Sequence, residues 1–303
     1  MNRKPSSVPT LIPLIVGMVA ISFAPILVRY SEAPVSVQGM YRMLFTVLLM
    51  LPFGTKQLAK LKDITRKDWM LLALAGFFLA LHFWLWMASL NYTSIASSTI
   101  ILTLEPVFVM IGAYFAFGDK IGKLAFAGLT VALGGAVVVG SGDFGLSGEE
   151  FKGDLLSFFG MLAVVANLLL AKVILRRVPS YLYSLVTFAV AFVCFAAFNG
   201  ASGYGFAGYP PGEWLIFALL AIVPTVLGHM IFNWLLQYVN PTTISMSVLA
   251  EPVGASLLGW MLFRETPTAF QWIGGAFIIL GLLLYMKNET TRAPAESAKI
   301  EAA

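Results

Sequence analysis

Two acidic residues stand where a membrane-crossing segment would least tolerate them. Glu105 with Pro106 interrupts the apolar stretch TIILTLEPVFVMIGAYFAF, and Glu251 with Pro252 interrupts SVLAEPVGASLLGWMLF. A carboxyl group at the bilayer centre costs roughly 2.5–3.5 kcal/mol on insertion scales. Burial disfavours its charged form, so a proton can come and go there. Proline lacks a backbone N–H, so Pro106 and Pro252 free the carbonyls of Leu102 and Val248 and are predicted to kink their helices. A protonated carboxyl donates a hydrogen bond and an ionised one only accepts, which lets protonation choose between local backbone arrangements. The pair reads either as proton-coupling or substrate-binding groups, or as groups that stitch helices together.

Other chemistry-bearing residues fall within apolar runs. Arg42 either snorkels to the outer interface or points inward at an anionic substrate or a glutamate. His82 and His229 are the two histidines of the chain, and a neutral imidazole both donates and accepts, which suits a substrate contact, a proton relay or a satisfied interhelical bond. His82 and Trp86 share a helical face at i, i+4, with Leu90 following, and His229 and Asn233 repeat the spacing. Aromatic walls with a few polar groups suit an amphipathic metabolite, although tryptophan also sits at lipid interfaces. Arg29 and Lys172 lie nearer helix ends and read as snorkelling, and Glu32 as solvated. The hydroxyl run TSIASST, residues 93–99, fits close helix packing as well as it fits substrate contact.

These residues sit in a chain of 303 residues that is 59% hydrophobic and 11% charged, a composition that excludes an ordinary soluble protein. Ten apolar runs long enough to cross about 30 Å of hydrocarbon are predicted, at 11–29, 35–53, 69–90, 95–117, 122–141, 153–175, 181–199, 214–236, 242–263 and 268–287. The first follows Arg3 and Lys4 but is long and closely followed by another span, so it reads as a retained anchor. With the N-terminus inside, the loops place most lysines and arginines in the cytoplasm, leaving Arg29, Lys152 and Arg264 outside and Arg42 within a span. The positive-inside rule therefore predicts both termini cytoplasmic, and the basic balance reads as topology, with no nucleic-acid partner expected. Cys194 is the single cysteine; it can form no internal disulfide and reads as a packing residue. The histidines lack the carboxylate or thiolate spacing of a metal site. The polar tail, residues 288–303, is predicted to be disordered and cytoplasmic.

An internal repeat organises the runs. Adding 146 to the number superimposes Leu90 on Leu236, Tyr92 on Tyr238, Glu105 on Glu251, Pro106 on Pro252, Gly128 on Gly274 and Gly135 on Gly281, and pairs Asp119 with Glu265. Gly17-Met18 aligns with Gly160-Met161 at a slightly different offset. His82 and His229 miss equivalence by one residue. Five spans per repeat is an odd number, so the second copy enters the membrane in the opposite sense, as in carriers built around a midplane site. The expected organisation is a segment 1–10, a first five-helix repeat 11–141, an external linker 142–152, a second repeat 153–287 and the tail.

Three segments carry a resemblance to a known family: RYSEAPVSVQGMYRMLF, LNYTSIASSTIILTLEPVFVMIGAYFAFGDK and AEPVGASLLGWMLFRETPTAFQWIGGAFIILG. Over roughly residues 10–287 the chain resembles the EamA-type transporters of the drug/metabolite transporter superfamily. Asp119 stands where the family often has Glu, and Arg264 where it often has Gly. The resemblance implies an all-α membrane protein of ten helices in two inverted five-helix halves, a central cavity, and export or exchange of small metabolites. It also places the small-residue ridges, Gly128, Ala132 and Ala136 with Gly274, Gly275 and Gly281, on a scaffold or homodimer side.

The expected function is secondary transport of a small-molecule substrate across the cell membrane by alternating access, with export and proton coupling through Glu105 and Glu251. Arg42 alone is a thin supply of cations for phosphate, so uncharged or zwitterionic metabolites such as amino acids are favoured. The alternatives are an uncoupled facilitator or exchanger and, further off, a membrane-embedded scaffold or lipid-modifying enzyme. No phosphate loop or catalytic triad order is present in the sequence, so no enzyme activity and no cofactor are expected.

Overall fold

The computed structural model describes residues 10–93, 95–118, 122–141, 148–263 and 269–301. Asp119, Arg264 and Glu265, and residues 142–147 of the expected external linker, lie outside them. Among the described residues the regular structure is entirely helical. Seven helical stretches are long and apolar enough to cross a membrane: Leu11–Tyr30, Val35–Phe53, Arg66–Ser89, Gly148–Ile174, Ser180–Ala201, Pro211–Leu235 and Pro241–Leu262. Shorter apolar helices occupy Glu105–Phe117, Lys123–Val138 and Trp272–Lys287, within the remaining predicted runs.

Several stretches are not single helices. The first divides into α1 (Leu11–Ile21) and α2 (Ala24–Tyr30), because Pro25 offers no N–H to the carbonyl of Ile21. The Ser22 hydroxyl there donates to the Met18 carbonyl at 3.0 Å. Next come α3 (Val35–Met50) and α4 (Arg66–Ser89), joined through short helical turns. Thr65 caps α4: its Oγ1 accepts the N–H of Asp68 at 3.2 Å and donates to Asp68 Oδ2 at 2.7 Å, satisfying an orphan donor of the first turn.

The predicted fourth span is α5 (Ile95–Leu102) followed by α6 (Glu105–Phe117), and the predicted ninth is α12 (Pro241–Val248) followed by α13 (Glu251–Phe263). The expected proline kinks are thus complete breaks. Each glutamate is the first residue of a second half-helix and each proline the next, a position where its missing N–H costs nothing. Turn bonds from the Leu104 N–H to the Ile101 carbonyl, 3.1 Å, and from the Leu249 N–H to the Met246 carbonyl, 3.3 Å, bridge the breaks. At its far end α6 stops at Gly118, whose φ of 69° closes the helix in the left-handed conformation.

The rest of the chain comprises α7 (Lys123–Ser141), α8 (Gly148–Ile174), α9 (Ser180–Ala201), α10 (Pro211–Leu220), a π-helical segment Ala221–Met230, α11 (Ile231–Leu235) and α14 (Ala269–Glu301). The predicted eighth span therefore widens around Pro224, which its hydropathy did not announce. α14 runs on through residues 288–301.

Packing joins the two repeats. α4 lies on α8, α3 on α9, α7 on α14 and α1 on the π segment, while α6 meets α12 and α5 meets α13. The main core gathers α3, α4, α8 and α9 around Val37, Met43, Leu72, Phe83, Met161 and Phe188. A second cluster, with Leu129, Ala132, Ala136, Ile278 and Leu282, fills the α7–α14 seam. There the predicted small-residue ridges do pack: a Cβ on Gly128 would lie 2.7 Å from the Gly281 carbonyl oxygen, so only glycine lets the backbones approach this far. Outward-facing Phe115, Met70, Val137 and Leu215 are more than 60% exposed, as suits side chains bathed in lipid.

Candidate functional site

Where the two broken stretches cross the rest of the bundle they border one cavity. Its lining draws Glu105 and Glu251 from the breaks, Arg42 from α3, His82 and Trp86 from α4, His229 from the π segment and Asn233 from α11. All seven side chains singled out in the sequence as candidate substrate or proton-coupling groups are therefore brought together, from both repeats. Pro106 and Pro252 stand behind the two acids and fix where the half-helices begin. The free space, about 50 Å³, has room for a few water molecules.

The acids are buried, 3% exposed at Glu105 and 6% at Glu251, and border the same cavity. Oε1 of Glu105 has no hydrogen-bond partner among the described residues. Each carboxyl sits at the start of a half-helix, where exposed N–H groups and the helix dipole favour negative charge. Such breaks are tolerated at membrane depth only where they face protein or a cavity.

Arg42 does not snorkel. It is fully buried, with the Phe83 ring 3.9 Å from Cζ to centroid and Nε donating to Thr225 Oγ1 at 2.7 Å. Thr225 is placed by its own local chemistry. Pro224 cannot supply an N–H to the Leu220 carbonyl, and the Thr225 hydroxyl donates to that carbonyl at 2.7 Å. Its lone pairs then accept from Arg42. Nη1 and Nη2 have no hydrogen-bond partner among the described residues, and Glu251 lies within electrostatic reach.

His82 donates from Nδ1 to the Gly160 carbonyl at 2.9 Å, which leaves Nε2 as the acceptor of a neutral ring. Its ring stacks on Trp86 with centroids 6.3 Å apart and lies 6.5 Å from that of His229. The contact with Gly160 is close: a Cβ there would meet the Trp86 nitrogen at 3.1 Å. Gly17, its partner in the repeat, is pressed against the Phe232 ring. The two Gly-Met positions are thus close approaches flanking the cavity. Asn233 Nδ2 donates to Ser184 Oγ at 3.1 Å.

Several other candidates resolve as packing. Leu90, which follows His82 and Trp86 along their face, is core. Ser98 of the hydroxyl run shares a 2.7 Å bond with Ser89, while its carbonyl accepts from Ser157 at 2.8 Å. Arg29 donates to the Thr93 carbonyl at 3.2 Å. Lys172 is only 8% exposed and lies over the Phe117 ring at 4.3 Å, rather than reaching for an interface.

Two features escaped sequence reasoning. Thr225 carries no signal as a lone hydroxyl; the proline before it, inside an apolar run, was the available clue. Glu213, at the start of α10, is 7% exposed; its carboxylate accepts from the Ser31 hydroxyl and from the Glu32 N–H, the latter at 2.8 Å. Glu32 itself is exposed as expected. At the other end of the bundle Asp68 Oδ1 pairs with Arg177 Nη2 at 2.7 Å.

Comparison with known proteins places this architecture. The family model described as the EamA-like transporter family matches residues 9–141 and again 151–287. An uncharacterized transporter of Synechocystis sp. is 26% identical over 269 residues, covering 80% of this chain and 73% of its own length. One from Archaeoglobus fulgidus is 27% identical over 247 residues, covering 80% and 83%. A protein of Rhizobium johnstonii named riboflavin transporter is 25% identical over 216 residues, covering 68% and 67%. A solved crystal structure superposes with a TM-score of 0.75 over 91% of this chain and 95% of its own, at 17% identity, a similarity of fold alone.

Proposed function

The chain belongs to the EamA-like transporter family, and from that premise we propose that it exports small neutral or zwitterionic metabolites, amino acids among them, across the cell membrane by alternating access. One observation carries the proposal: two repeat-related helix breaks deliver Glu105 and Glu251 to a single buried cavity. Intramembrane acids at such breaks mark substrate or ion pathways. In this reading the three shorter apolar helices complete ten spans, both termini face the cytoplasm, and the two halves run oppositely. The packing supports a two-fold relation between the copies. The third predicted span lies on the sixth and the first on the eighth, while the second pairs with the seventh and the fifth with the tenth. Five spans per copy, an odd number, would lay that axis in the membrane plane.

Proton coupling is assigned to the two acids. One carboxyl protonated from one side and released to the other, in step with substrate, would drive export at the expense of the proton gradient. The test is transport in proteoliposomes carrying wild-type protein, Glu105→Gln or Glu251→Gln, with solutes drawn from a metabolite extract of the overproducing cells. Flux driven by a pH gradient should fall at least tenfold in either variant while solute counterflow persists. Should both variants keep wild-type pH-dependent transport, the acids are structural and the flux follows the substrate gradient alone.

A further inference from the structure

Arg42 is the one cationic side chain bordering the cavity among the described residues, and only one of its N–H donors has a partner there. A guanidinium presents five N–H donors in a rigid plane. Here Phe83 covers one face of the plane and Thr225 takes the Nε–H, so the group is fixed in position and in rotation. What remains is the edge formed by Nη1 and Nη2, fully buried and unpartnered among the described residues. Leaving charged donors unmet in a low-dielectric interior is expensive. That edge matches the two oxygens of a carboxylate in a fork-to-fork geometry.

The surroundings narrow the class. A simple anion on Arg42 would share the cavity with Glu105 and Glu251, which repel it when ionised. A phosphate, with more charge and more oxygens, would find no second cation among the lining residues. A zwitterion satisfies both poles, its ammonium facing Glu251, which borders the same cavity as Arg42. Most of the remaining wall, including Phe83, Trp86, Leu168, Phe188, Phe232 and Ile244, is apolar, with Asn167, Asn233, His229 and the acceptor side of His82 as its polar groups. The free volume is small, so the ligand is small or widens the cavity as it enters.

We propose that Arg42 is the carboxylate dock of the transport site and that its ligand is an α-amino acid with an apolar side chain, held by carboxylate on Nη1 and Nη2 and by ammonium on Glu251. The assignment rests on the transporter reading. It adds a positioning role for Thr225, which orients the guanidinium from the opposite repeat and so ties occupancy of the dock to the contact between the two halves.

The experiment uses the purified full chain in nanodiscs, with ligand-induced thermal stabilisation and calorimetric affinity as readouts. The probes are L-leucine and L-phenylalanine, the decarboxylated isopentylamine, the deaminated 4-methylpentanoate, and riboflavin, which has no carboxylate. Wild-type protein should be stabilised by the amino acids, less by 4-methylpentanoate, and not by isopentylamine or riboflavin. Arg42→Gln should weaken amino-acid binding at least tenfold, Arg42→Lys should retain part of it, and Thr225→Val, which keeps the charge, should weaken it several-fold. The dock is overturned if neither amino acid stabilises the wild type, if isopentylamine or riboflavin does so equally well, or if Arg42→Gln binds as tightly as the wild type. Should Arg42→Gln fail to fold, unchanged affinity in Thr225→Val overturns the positioning role, and Arg42→Lys binding as the wild type does overturns the fork geometry. Solute flux in proteoliposomes separates the two levels. Flux that survives Arg42→Gln refutes the dock and leaves the transporter standing, whereas no flux of any extract solute by the wild type refutes the transporter reading itself.

Discussion

The α7–α14 seam and the wall of the central cavity are built from segments of similar hydropathy, yet they solve opposite problems. In the seam, Gly128, Ala132, Gly135, Gly274 and Gly281 let two uninterrupted helices touch backbone to backbone, and no charged side chain is among its core residues. Along the cavity the helices break at Glu105 and Glu251 and widen at Pro224, and the buried charged or polar residues Arg42, His82, Glu105, Asn233 and Glu251 stand among apolar ones. In lipid, association comes from close van der Waals packing, so a seam of small residues is a rigid joint. Breaks with unmet hydrogen-bonding groups have more than one way to be satisfied, and that is where motion and binding can be placed.

The contrast can be broken most severely at the seam. Gly128→Leu or Gly281→Leu drives a side chain into the facing backbone and should destabilise the protein by about 3 kcal/mol, the upper range of overpacking. The readout is the fraction recovered as a monodisperse species and its Tm. Next comes Glu213→Ala, which strands the Ser31 hydroxyl and the Glu32 N–H; a loss of about 2 kcal/mol is expected from unmet donors of this kind, read as a lower Tm. The cavity should respond in the opposite manner. Combining Glu105→Gln with Glu251→Gln removes two buried ionisable groups without removing volume, so thermal stability should hold or rise while pH-driven flux falls at least tenfold, about 1.4 kcal/mol in coupling terms. Asp68→Asn weakens a pair whose Arg177 side is half exposed and should cost only about 0.5–1 kcal/mol. Smallest of all, Gly134→Leu faces open space on the same helix as Gly128 and should stay within about 0.5 kcal/mol of the wild type. If it proves as damaging as Gly128→Leu, the seam is not what distinguishes that helix.

Much of this arrangement was legible in the residues. The 146-residue offset pairing Glu105 with Glu251 and Gly135 with Gly281 marked where both irregular helices and the seam lie, because duplication leaves the rarest residues most visible. The i, i+4 spacing of His82 with Trp86 and of His229 with Asn233 correctly put each pair on a cavity-facing surface. Three things were not legible. Whether Pro106 bends a helix or ends it depends on what satisfies the carbonyls before it, and the Leu104 turn bond is not written in composition. Arg42 gives the same signal whether it snorkels or turns inward, since the partner that holds it, Thr225, lies in the other repeat, 183 residues away. The π segment arises from one missing N–H at Pro224, too local an event for a hydropathy window to register.

That missing N–H reaches further than its own helix. The single hydroxyl hydrogen of Thr225 is committed to the Leu220 carbonyl, which receives no N–H from Pro224, and its oxygen faces Arg42 as an acceptor. Pro224 and Arg42, on segments from different repeats, therefore share one proton assignment. Substituting either should change the energetic worth of the other, so that a double-mutant cycle across Pro224→Ala and Arg42→Gln reports non-additivity between side chains that are joined only through a threonine.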